Sequence, residues 1–464
     1  MKNLYKTPKE YYLRHAFPRG RMLSQIEDDL LIFSQLIMSL RGLSKKEFEE
    51  KFDKEYTKLR DLKPKTIKNH RTEMISLFGL TFFNDEGKVE ISDRAKILIE
   101  QQDFQLFFKT FCNRFQFPNA INKSQETIKQ LKNGVNFKPA KFILTLLKCG
   151  NDKFGKFSVN GAEISNLIFN DLRVTRGEIS PDNLLNTLVG MHKGKIRFES
   201  NSRQAQHGRE FLGYMYLAGL LETDDSHKSF YLNEKEMPSV DFIILNEQFF
   251  NIPNNYIEQS DVRKETNYEW QYWFGEVSRV EMIKLGYSLE TIEDIEKKTV
   301  GELTDEEKKL AEPTKISKKD IGDVGEKIVF KYERNVIKKI RPDKLGLVKI
   351  VANDTSLGYD IQSLKKEDVA KKKLIEVKTT IRTFEPNTAV VTYFPMSGNE
   401  WQTAQNNRDS YYIYRVFLSK KNAKILVIKD PFGESEEGNI IAEPIEYRII
   451  IKDGVGKYLP EMTI

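Results

Sequence analysis

At 464 residues the chain is long enough for three or four domains, and its 39% hydrophobic and 11% aromatic residues can fill several cores. A net charge of +6 permits nucleic-acid binding without requiring it. Neither cysteine, Cys112 or Cys149, lies in a C-x-x-C pair, which argues against a disulfide framework or a zinc site. Residues 1–14 lack the apolar segment of a signal peptide, and no run approaches the roughly 20 apolar residues that span a bilayer. We therefore expect a soluble, cytoplasmic protein.

The N-terminal segment combines basic and aromatic side chains with two residues that break helices, Pro18 and Gly20. An arm of this kind can lie along a DNA groove, where arginines contact phosphates or guanine edges. A surface segment packed through Phe17 is the alternative interpretation. The candidate DNA-binding residues of the arm are Arg19 and Arg21.

Three helices and a hairpin are predicted next. Apolar spacing indicates a helix over 26–40, a Ser44 and Glu47 capping box begins a second, and Pro64 begins a third. A hairpin with an Asn-Asp-Glu-Gly turn follows. This is the order of a winged helix, whose third helix enters the major groove of DNA, although a solvated helix face is the alternative. The candidates on the third helix are Lys65, Lys68, Asn69 and Arg71.

A comparable pattern recurs further along the chain. Helical segments over 138–148, 161–169 and 181–189 precede a long helix over 203–221, and a hairpin with a Thr-Asp-Asp-Ser turn follows. The repetition indicates two winged-helix modules in tandem. Gln to adenine and Arg to guanine are good bidentate pairings, so this helix can recognise sequence. Its candidate DNA-binding residues are Arg203, Gln204, Gln206 and Arg209, whereas His207 is interpreted as a surface or packing residue.

Residues 251–316 change in character. Aromatic residues between Tyr268 and Phe274 form a cluster that is predicted to pack a small helical subdomain against its neighbours instead of stacking on bases. The chain then becomes rich in Glu and Lys, a composition that favours a solvated helix followed by a linker.

The most informative stretch extends from Gly358 to Lys378. Gly-Tyr-Asp-Ile and Ile-Glu-Val-Lys each predict a short strand, joined by a lysine-rich hairpin connection. Residues two apart on a strand share a face, so Glu376 and Lys378 point the same way, and a neighbouring strand can hold Asp360 beside them. Two carboxylates can bind Mg²⁺ and leave it free positions for water and a phosphate oxygen. The lysine can orient that water or stabilise developing negative charge, which together suits phosphodiester hydrolysis.

This pattern resembles the PD-(D/E)XK nuclease superfamily, whose D…(D/E)-X-K residues stand here as Asp360, Glu376 and Lys378. The predicted order of helix, three strands, helix and two strands is also close to the superfamily core. The resemblance implies catalytic roles for these three residues, with Asp360 and Glu376 as metal ligands. It also implies an additional catalytic acid on the first helix, here Glu326.

The expected fold is therefore multidomain, with mainly α winged-helix modules followed by an α/β PD-(D/E)XK domain that has a mixed central sheet. The predicted domains are a first winged-helix module with its arm (1–125), a second module (126–250), a helical subdomain with a linker (251–316) and the nuclease domain (317–464). The combination resembles type II restriction endonucleases that separate recognition from cleavage. It implies a Mg²⁺-dependent homodimer that cuts double-stranded DNA, with a methyltransferase that protects host DNA.

Three alternatives remain open. A repair or junction-resolving nuclease would share the catalytic residues but recognise DNA shape. A methylation-dependent restriction enzyme would discriminate between modified and unmodified DNA. A non-enzymatic DNA-binding regulator with a vestigial nuclease fold is the third, and the intact Asp360, Glu376 and Lys378 argue against it.

Overall fold

A computed structural model describes most of the chain. The described residues are 4–15, 22–60, 62–121, 124–198, 203–224, 226–252, 264–286, 293, 296–298, 300–301, 303–311, 321–383, 394–419 and 422–442. The N-terminal region, residues 4–286, and the C-terminal region, residues 296–442, are built differently. Among the described residues, no helix is both long and apolar enough to cross a membrane.

Helices dominate the N-terminal region. Its first part contains α1 (Leu23–Ser39), α2 (Lys45–Leu59), α3 (Pro64–Phe78), β1 (Thr81–Phe83), β2 (Val89–Ile91), α4 (Asp93–Gln101) and α5 (Phe104–Arg114). There follow α6 (Ser124–Lys132), α7 (Pro139–Phe154), β3 (Ser158–Val159), α8 (Gly161–Glu163), a π-helix (Ile164–Phe169), α9 (Leu172–Thr175) and α10 (Pro181–Lys193). Its last elements are α11 (Arg203–Leu217), β4 (Leu221–Thr223), β5 (Phe230–Leu232), α12 (Met237–Leu245), α13 (Lys264–Gly275) and α14 (Arg279–Leu285).

The predicted sequence of three helices and a hairpin is confirmed for α1, α2, α3 and the antiparallel pair β1 and β2. Ser44 and Glu47 form the expected capping box at the start of α2, which satisfies two backbone donors of the first turn. Ser44 also forms an antiparallel bridge with Lys88, beside β2, so the segment before α2 adds a third extended segment to the hairpin.

The second module repeats this arrangement. Here β3 lies between α7 and α8 and pairs with β5, and β5 pairs with β4 in a three-stranded sheet. In each module the extra strand therefore joins the second strand of the hairpin. The two modules differ in the segment before the helix that leads into the hairpin, because α9 and α10 precede α11 in the second module.

The junction between helix and hairpin is the same in both modules. Gly79 and Gly219 have φ angles of +61° and +72°, in the left-handed region that glycine adopts without a Cβ clash. The following Leu80 donates its backbone N–H to the Ile75 carbonyl at 3.1 Å, and Leu220 donates to Met215 at the same distance. This repeated geometry supports the prediction of two related modules.

A single hydrophobic core extends through the N-terminal region, from Leu13 to Leu285. Its centre includes α5, every residue of which is buried. Neither α4 nor α5 is among the elements predicted from the sequence. Because the same core includes residues from all three of the predicted N-terminal units, the boundaries near 125 and 250 do not coincide with separate cores and stay predictions.

The aromatic cluster over 268–274 packs internally, as predicted. Trp270 is buried and stacks on Phe274 with 5.0 Å between ring centroids. Tyr268 stacks on Phe83 of the first hairpin at 4.4 Å. The cluster thus fixes α13 against β1 and the remainder of the core.

The C-terminal region begins with α15 (Asp305–Ala311), α16 (Ile321–Ile340), β6 (Lys349–Ile350), β7 (Ile361–Leu364) and β8 (Lys372–Ile381). It continues with α17 (Gly398–Asn407), β9 (Tyr411–Leu418), β10 (Ala423–Lys429) and α18 (Pro431–Glu436). The strands form one sheet in the order β10-β9-β8-β7-β6, in which β8 and β9 are parallel and the other pairs are antiparallel. Both the mixed sheet and the predicted order of elements are confirmed.

Helices cover both faces of this sheet. On one face, α16 contributes Val324 and Val329 to a core that includes Ile375 and Val377 of β8. On the other face, α17 places Ala404 in a second core with Leu374 and other strand residues. Alternate residues of β8 therefore meet different layers, and Glu376 lies on the α17 face.

Candidate active site and DNA-binding residues

Two neighbouring strands bring the predicted catalytic residues together. Asp360 precedes β7 by one residue, and its backbone N–H donates to the Ile375 carbonyl of β8 at 2.9 Å. The Asp360 carboxylate accepts a 2.7 Å hydrogen bond from the Val377 backbone N–H. Asp360 is thereby fixed beside Glu376 and Lys378, which share one face of β8.

Lys378 is bound directly to Glu376. Its ammonium lies 2.7 Å from Glu376 Oε1, and the Lys378 side chain is 18% exposed against 3% for Glu376. Solvent therefore reaches the site from the lysine side, and the acid lies deeper.

The turn before Asp360 depends on Gly358. Its φ is +68°, and a Cβ at this position would lie 2.4 Å from Thr403 Oγ1 of α17, so larger residues would collide with that helix. The Gly358 carbonyl accepts a 2.9 Å hydrogen bond from the Tyr411 hydroxyl. These contacts determine where β7 begins and hence where Asp360 lies.

Glu400 contacts both its helix terminus and the site. It completes the capping box at the start of α17 with Ser397, as its spacing in the sequence predicts. The same carboxylate also lies 2.9 Å from Lys378 Nζ. The contact with Lys378 joins side chains 22 residues apart on different elements, so spacing along the chain does not reveal it.

The electrostatics of the site are dominated by burial of acids. Burial raises the pKa of Asp360 and of Glu376. The charge of Asp360 raises the pKa of Glu376 further, and the charge of Glu400 raises the pKa of both acids, whereas a hydrogen bond with Glu376 lowers the pKa of Asp360. Burial alone would lower the pKa of Lys378, but the Glu376 and Glu400 carboxylates outweigh it and raise that pKa. The lysine is therefore cationic at neutral pH, and it only partly neutralises the acids around it.

These residues fit a divalent cation that prefers oxygen ligands. Mg²⁺ is commonly held by one or two carboxylates and keeps several waters, and the buried acids Asp360 and Glu376 supply such a pair. Over the residues that the structure describes, no group of three or more His, Cys, Asp or Glu side chains is arranged to hold a metal. Glu400 is instead bound to Lys378, so the protein would contribute two ligands and leave positions for water and substrate.

The additional predicted acid, Glu326, lies half-buried on α16. Its neighbour Gly325 lies against Thr379 of β8, one residue beyond Lys378. Thr379 points to the face of β8 opposite Glu376 and Lys378. Glu326 thus lies on α16, which covers the face of β8 opposite Glu376 and Lys378. Its catalytic role stays a prediction.

The predicted DNA-binding residues of α3 differ in environment. Lys65, Lys68 and Asn69 are exposed. Arg71 is instead buried, with its guanidinium 2.7 Å from Asp53 and 3.0 Å from Glu49 of α2. These ion pairs hold Arg71 within the protein, so the DNA-facing candidates of α3 reduce to the three exposed residues.

On α11, Arg209 is exposed, whereas the Gln206 amide donates to Glu210 Oε1 at 2.7 Å. His207 is buried, in accordance with a packing role. The side chains of Arg203 and Gln204 lie outside the described part of the structure, as do Arg19 and Arg21 of the predicted arm. Their DNA-binding roles stay predictions.

Comparison with known proteins identifies the N-terminal region. Residues 5–274 match the family model of the N-terminal region of restriction endonuclease BpuJI, which is more than half of the chain. The chain belongs to this family. A crystal structure of pyrene- and phenanthrene-modified DNA in complex with the BpuJ1 endonuclease binding domain also matches, with 26% identity and a TM-score of 0.52. The match covers 57% of this chain and 98% of that chain, and it confirms the likeness to a BpuJI-like restriction enzyme.

Beyond the BpuJI-like region, residues 325–428 match the family model of the C-terminal part of Protein NO VEIN. Protein NO VEIN of Arabidopsis thaliana is 29% identical over 119 residues, which are 26% of this chain and 4% of that protein. The chain therefore spans only a small part of this curated relative. The matched segment includes Asp360, Glu376 and Lys378.

Proposed function

We propose that the protein is a type II restriction endonuclease that recognises a sequence in double-stranded DNA and hydrolyses it in a Mg²⁺-dependent reaction. The observation that carries this proposal is the meeting of Asp360, Glu376 and Lys378 at one site, in a chain whose N-terminal region belongs to the BpuJI family. The C-terminal region would then be a PD-(D/E)XK nuclease domain.

The N-terminal region would bind DNA through two winged-helix modules. The BpuJ1 binding domain, which this region resembles, was crystallised with modified DNA. Lys65, Lys68 and Asn69 are exposed on the last helix before the first hairpin, and Arg209 is exposed on the corresponding helix of the second module. Exposed cations on such helices can contact phosphates and base edges.

At the site of hydrolysis, Asp360 and Glu376 would hold the cation. Bound Mg²⁺ would supply a Lewis acid that neutralises phosphate charge and lowers the pKa of a water molecule. The Lys378 ammonium, held between Glu376 and Glu400, would donate hydrogen bonds to the attacking water or to a phosphate oxygen as negative charge develops. Hydrolysis adds water across one P–O bond and leaves a phosphate monoester and a hydroxyl.

One such site cuts one strand, so a double-strand break needs two sites or two successive events. We therefore propose that the active species is a homodimer. A cognate methyltransferase would protect host DNA, since an endonuclease of this kind would otherwise cut the genome of its own cell.

The test measures binding and cleavage of unmodified plasmid, methylated plasmid, linear phage DNA and branched DNA by the wild type and by Asp360→Ala, each with Mg²⁺ and with EDTA. Discrete fragments from the wild type with Mg²⁺ alone would support the proposal, and their ends would map the recognition sequence. Cleavage of branched DNA alone would favour a junction-resolving enzyme. Cleavage of modified plasmid alone would favour a methylation-dependent one, and binding without any cleavage would favour a regulator.

A further inference from the structure

The end of the catalytic strand β8 touches the N-terminal region. The Thr380 hydroxyl donates a 2.8 Å hydrogen bond to the Gln102 carbonyl, at the end of α4. Arg382 forms an ion pair with Asp28 of α1, and the Thr383 backbone N–H donates to Glu27 Oε1 at 2.9 Å. The two regions are therefore joined within a few residues of Lys378.

Arg415 of β9 connects this junction to the site. It is the parallel register partner of Lys378, so the two side chains lie on the same face of the sheet. The Arg415 guanidinium donates to the Lys378 backbone carbonyl at 2.9 Å and also to the Gln102 side-chain oxygen. Arg415 is only 2% exposed.

The environment of Arg415 is unusual for a buried cation. Within the described part of the chain it forms no ion pair with a carboxylate, and Phe394 and Phe417 lie against its guanidinium. A buried charge is costly unless hydrogen bonds satisfy it. The oxygens of Lys378 and Gln102 are therefore the acceptors that hold the guanidinium in place, one from each region.

Gln102 is itself held in an uncommon conformation. It ends α4 with a φ of +50°, a left-handed conformation that glycine or asparagine usually supplies at a helix C-terminus. A larger residue there is under backbone strain. Glycine would relieve that strain, but it would remove the side-chain oxygen that contacts Arg415.

The position of α4 adds to this connection. The helix begins at Asp93, two residues after β2 of the first hairpin ends, and Gln102 caps its other end. One short helix thus links the first predicted DNA-binding module to the Arg415 contact.

We propose that Gln102 and Arg415 are positioning residues through which the N-terminal region fixes the backbone position of Lys378. This inference rests on the proposed nuclease function. Gln102 fixes the guanidinium of Arg415, and Arg415 fixes the carbonyl of Lys378. The position of the Lys378 ammonium relative to the phosphate of bound DNA is fixed in turn. Loss of the Gln102 oxygen leaves a buried cation without one of its acceptors, and the guanidinium must shift together with the strand that it holds.

The test compares Gln102→Ala with Gln102→Glu, which keeps an acceptor for Arg415. Thr380→Val is the matched control, because it removes a hydrogen bond between the same two regions and leaves the Arg415 contacts in place. For each full-length variant we would measure the DNA dissociation constant, the KM, the kcat and the melting temperature. We expect kcat of Gln102→Ala to fall on the order of tenfold, with KM and DNA affinity unchanged. Gln102→Glu and Thr380→Val should retain the wild-type kcat.

Equal kcat values for Gln102→Ala and the wild type would overturn the positioning role and leave the nuclease proposal intact. An equal loss in Thr380→Val would also overturn it, because the loss would then follow from any weakening of the junction. A wild type that cleaves no DNA would refute the nuclease proposal and this role with it. Should Gln102→Ala unfold, Gln102→Met keeps the side-chain length without the acceptor and gives the same comparison.

Discussion

The two regions of the protein bury acidic side chains with opposite electrostatic results. In the N-terminal region, burial alone would raise the pKa of Glu281, but hydrogen bonds and charge from Arg114, at 2.7 and 2.9 Å, lower it to about 2. In the C-terminal region, the pKa values of Asp360 and Glu376 are raised, because Lys378 does not compensate for their burial. A fully paired acid stabilises the fold, whereas an acid left short of positive charge is suited to binding a cation.

The largest effect should come from the acids of the C-terminal site. Glu376→Gln would remove one of the two proposed metal ligands, so we expect DNA cleavage to fall on the order of a thousandfold. Stability should not fall: an acid whose folded-state pKa is raised opposes folding above its unfolded pKa, and glutamine removes that penalty. Cleavage rates and melting temperatures measured together check both parts. Retained cleavage would exclude Glu376 as a ligand.

The matched change in the N-terminal region should do the reverse. Glu281→Gln leaves the buried Arg114 with only the more exposed Glu276 carboxylate, 3.1 Å away, and we expect a cost of about 3 kcal/mol of unfolding free energy. Chemical denaturation of the two variants side by side provides the measurement. If Glu281→Gln were as stable as Glu376→Gln, the contrast between paired and unpaired acids would not hold.

A smaller effect is expected at the surface of the N-terminal region. Lys65→Ala and Lys68→Ala should each weaken DNA binding and reduce the slope of log affinity against log salt by about one, because each removes one phosphate contact. Lys338→Ala, which changes another exposed lysine, on α16, is the control and should change neither quantity. Binding titrations at several salt concentrations distinguish these outcomes. An unchanged slope in both α3 variants would place the DNA elsewhere.

The smallest effect concerns pH and belongs to the N-terminal region. His15 is buried against Phe117, and burial, with a further contribution from Lys129, lowers its pKa to about 3. The folded protein thus keeps His15 neutral, while the unfolded chain takes up a proton at this residue below pH 6.5. The free energy of unfolding therefore decreases as the pH falls from 6.5 toward 3. Between pH 6.5 and 5.5 we expect a loss of about 1 kcal/mol from this residue. Denaturant titrations should show that His15→Phe lacks this part of the pH dependence.

Much of the candidate site could be predicted because its signals are local. The strand pattern around Asp360 and the Glu-x-Lys spacing depend on residues close in sequence, and alternation along β8 places Glu376 and Lys378 on one face whatever surrounds them. Helix caps such as Ser44 with Glu47 are equally local. The repeated junction of helix, glycine and hairpin was visible for the same reason.

Other features depended on contacts between distant residues. Arg71 has the spacing of a DNA-facing residue, yet Asp53 and Glu49 of another helix pair with it. The helix α5 carries Gln105, Lys109 and Asn113 at the spacing of a solvent-facing stripe, yet all three are buried. They bond instead to Glu236 and Glu281, more than 120 residues away in the chain. An arginine within an apolar strand is a signal for Arg415, but its partner Gln102 lies 313 residues away.

The sequence by itself determined the order of the elements in the C-terminal sheet region, the repeated helix and hairpin order of the N-terminal region, the family of that region and the identity of the three candidate catalytic residues. These depend on backbone propensity, strand alternation and short spacings. Only the tertiary structure decided which buried charges are neutralised. Arg114 neutralises Glu281 and Asp53 neutralises Arg71, whereas Asp360 and Glu376 have too little positive charge around them to be neutralised. Neutralisation of a buried charge depends on which distant side chains the fold brings within a few ångströms, and local sequence does not encode that distance.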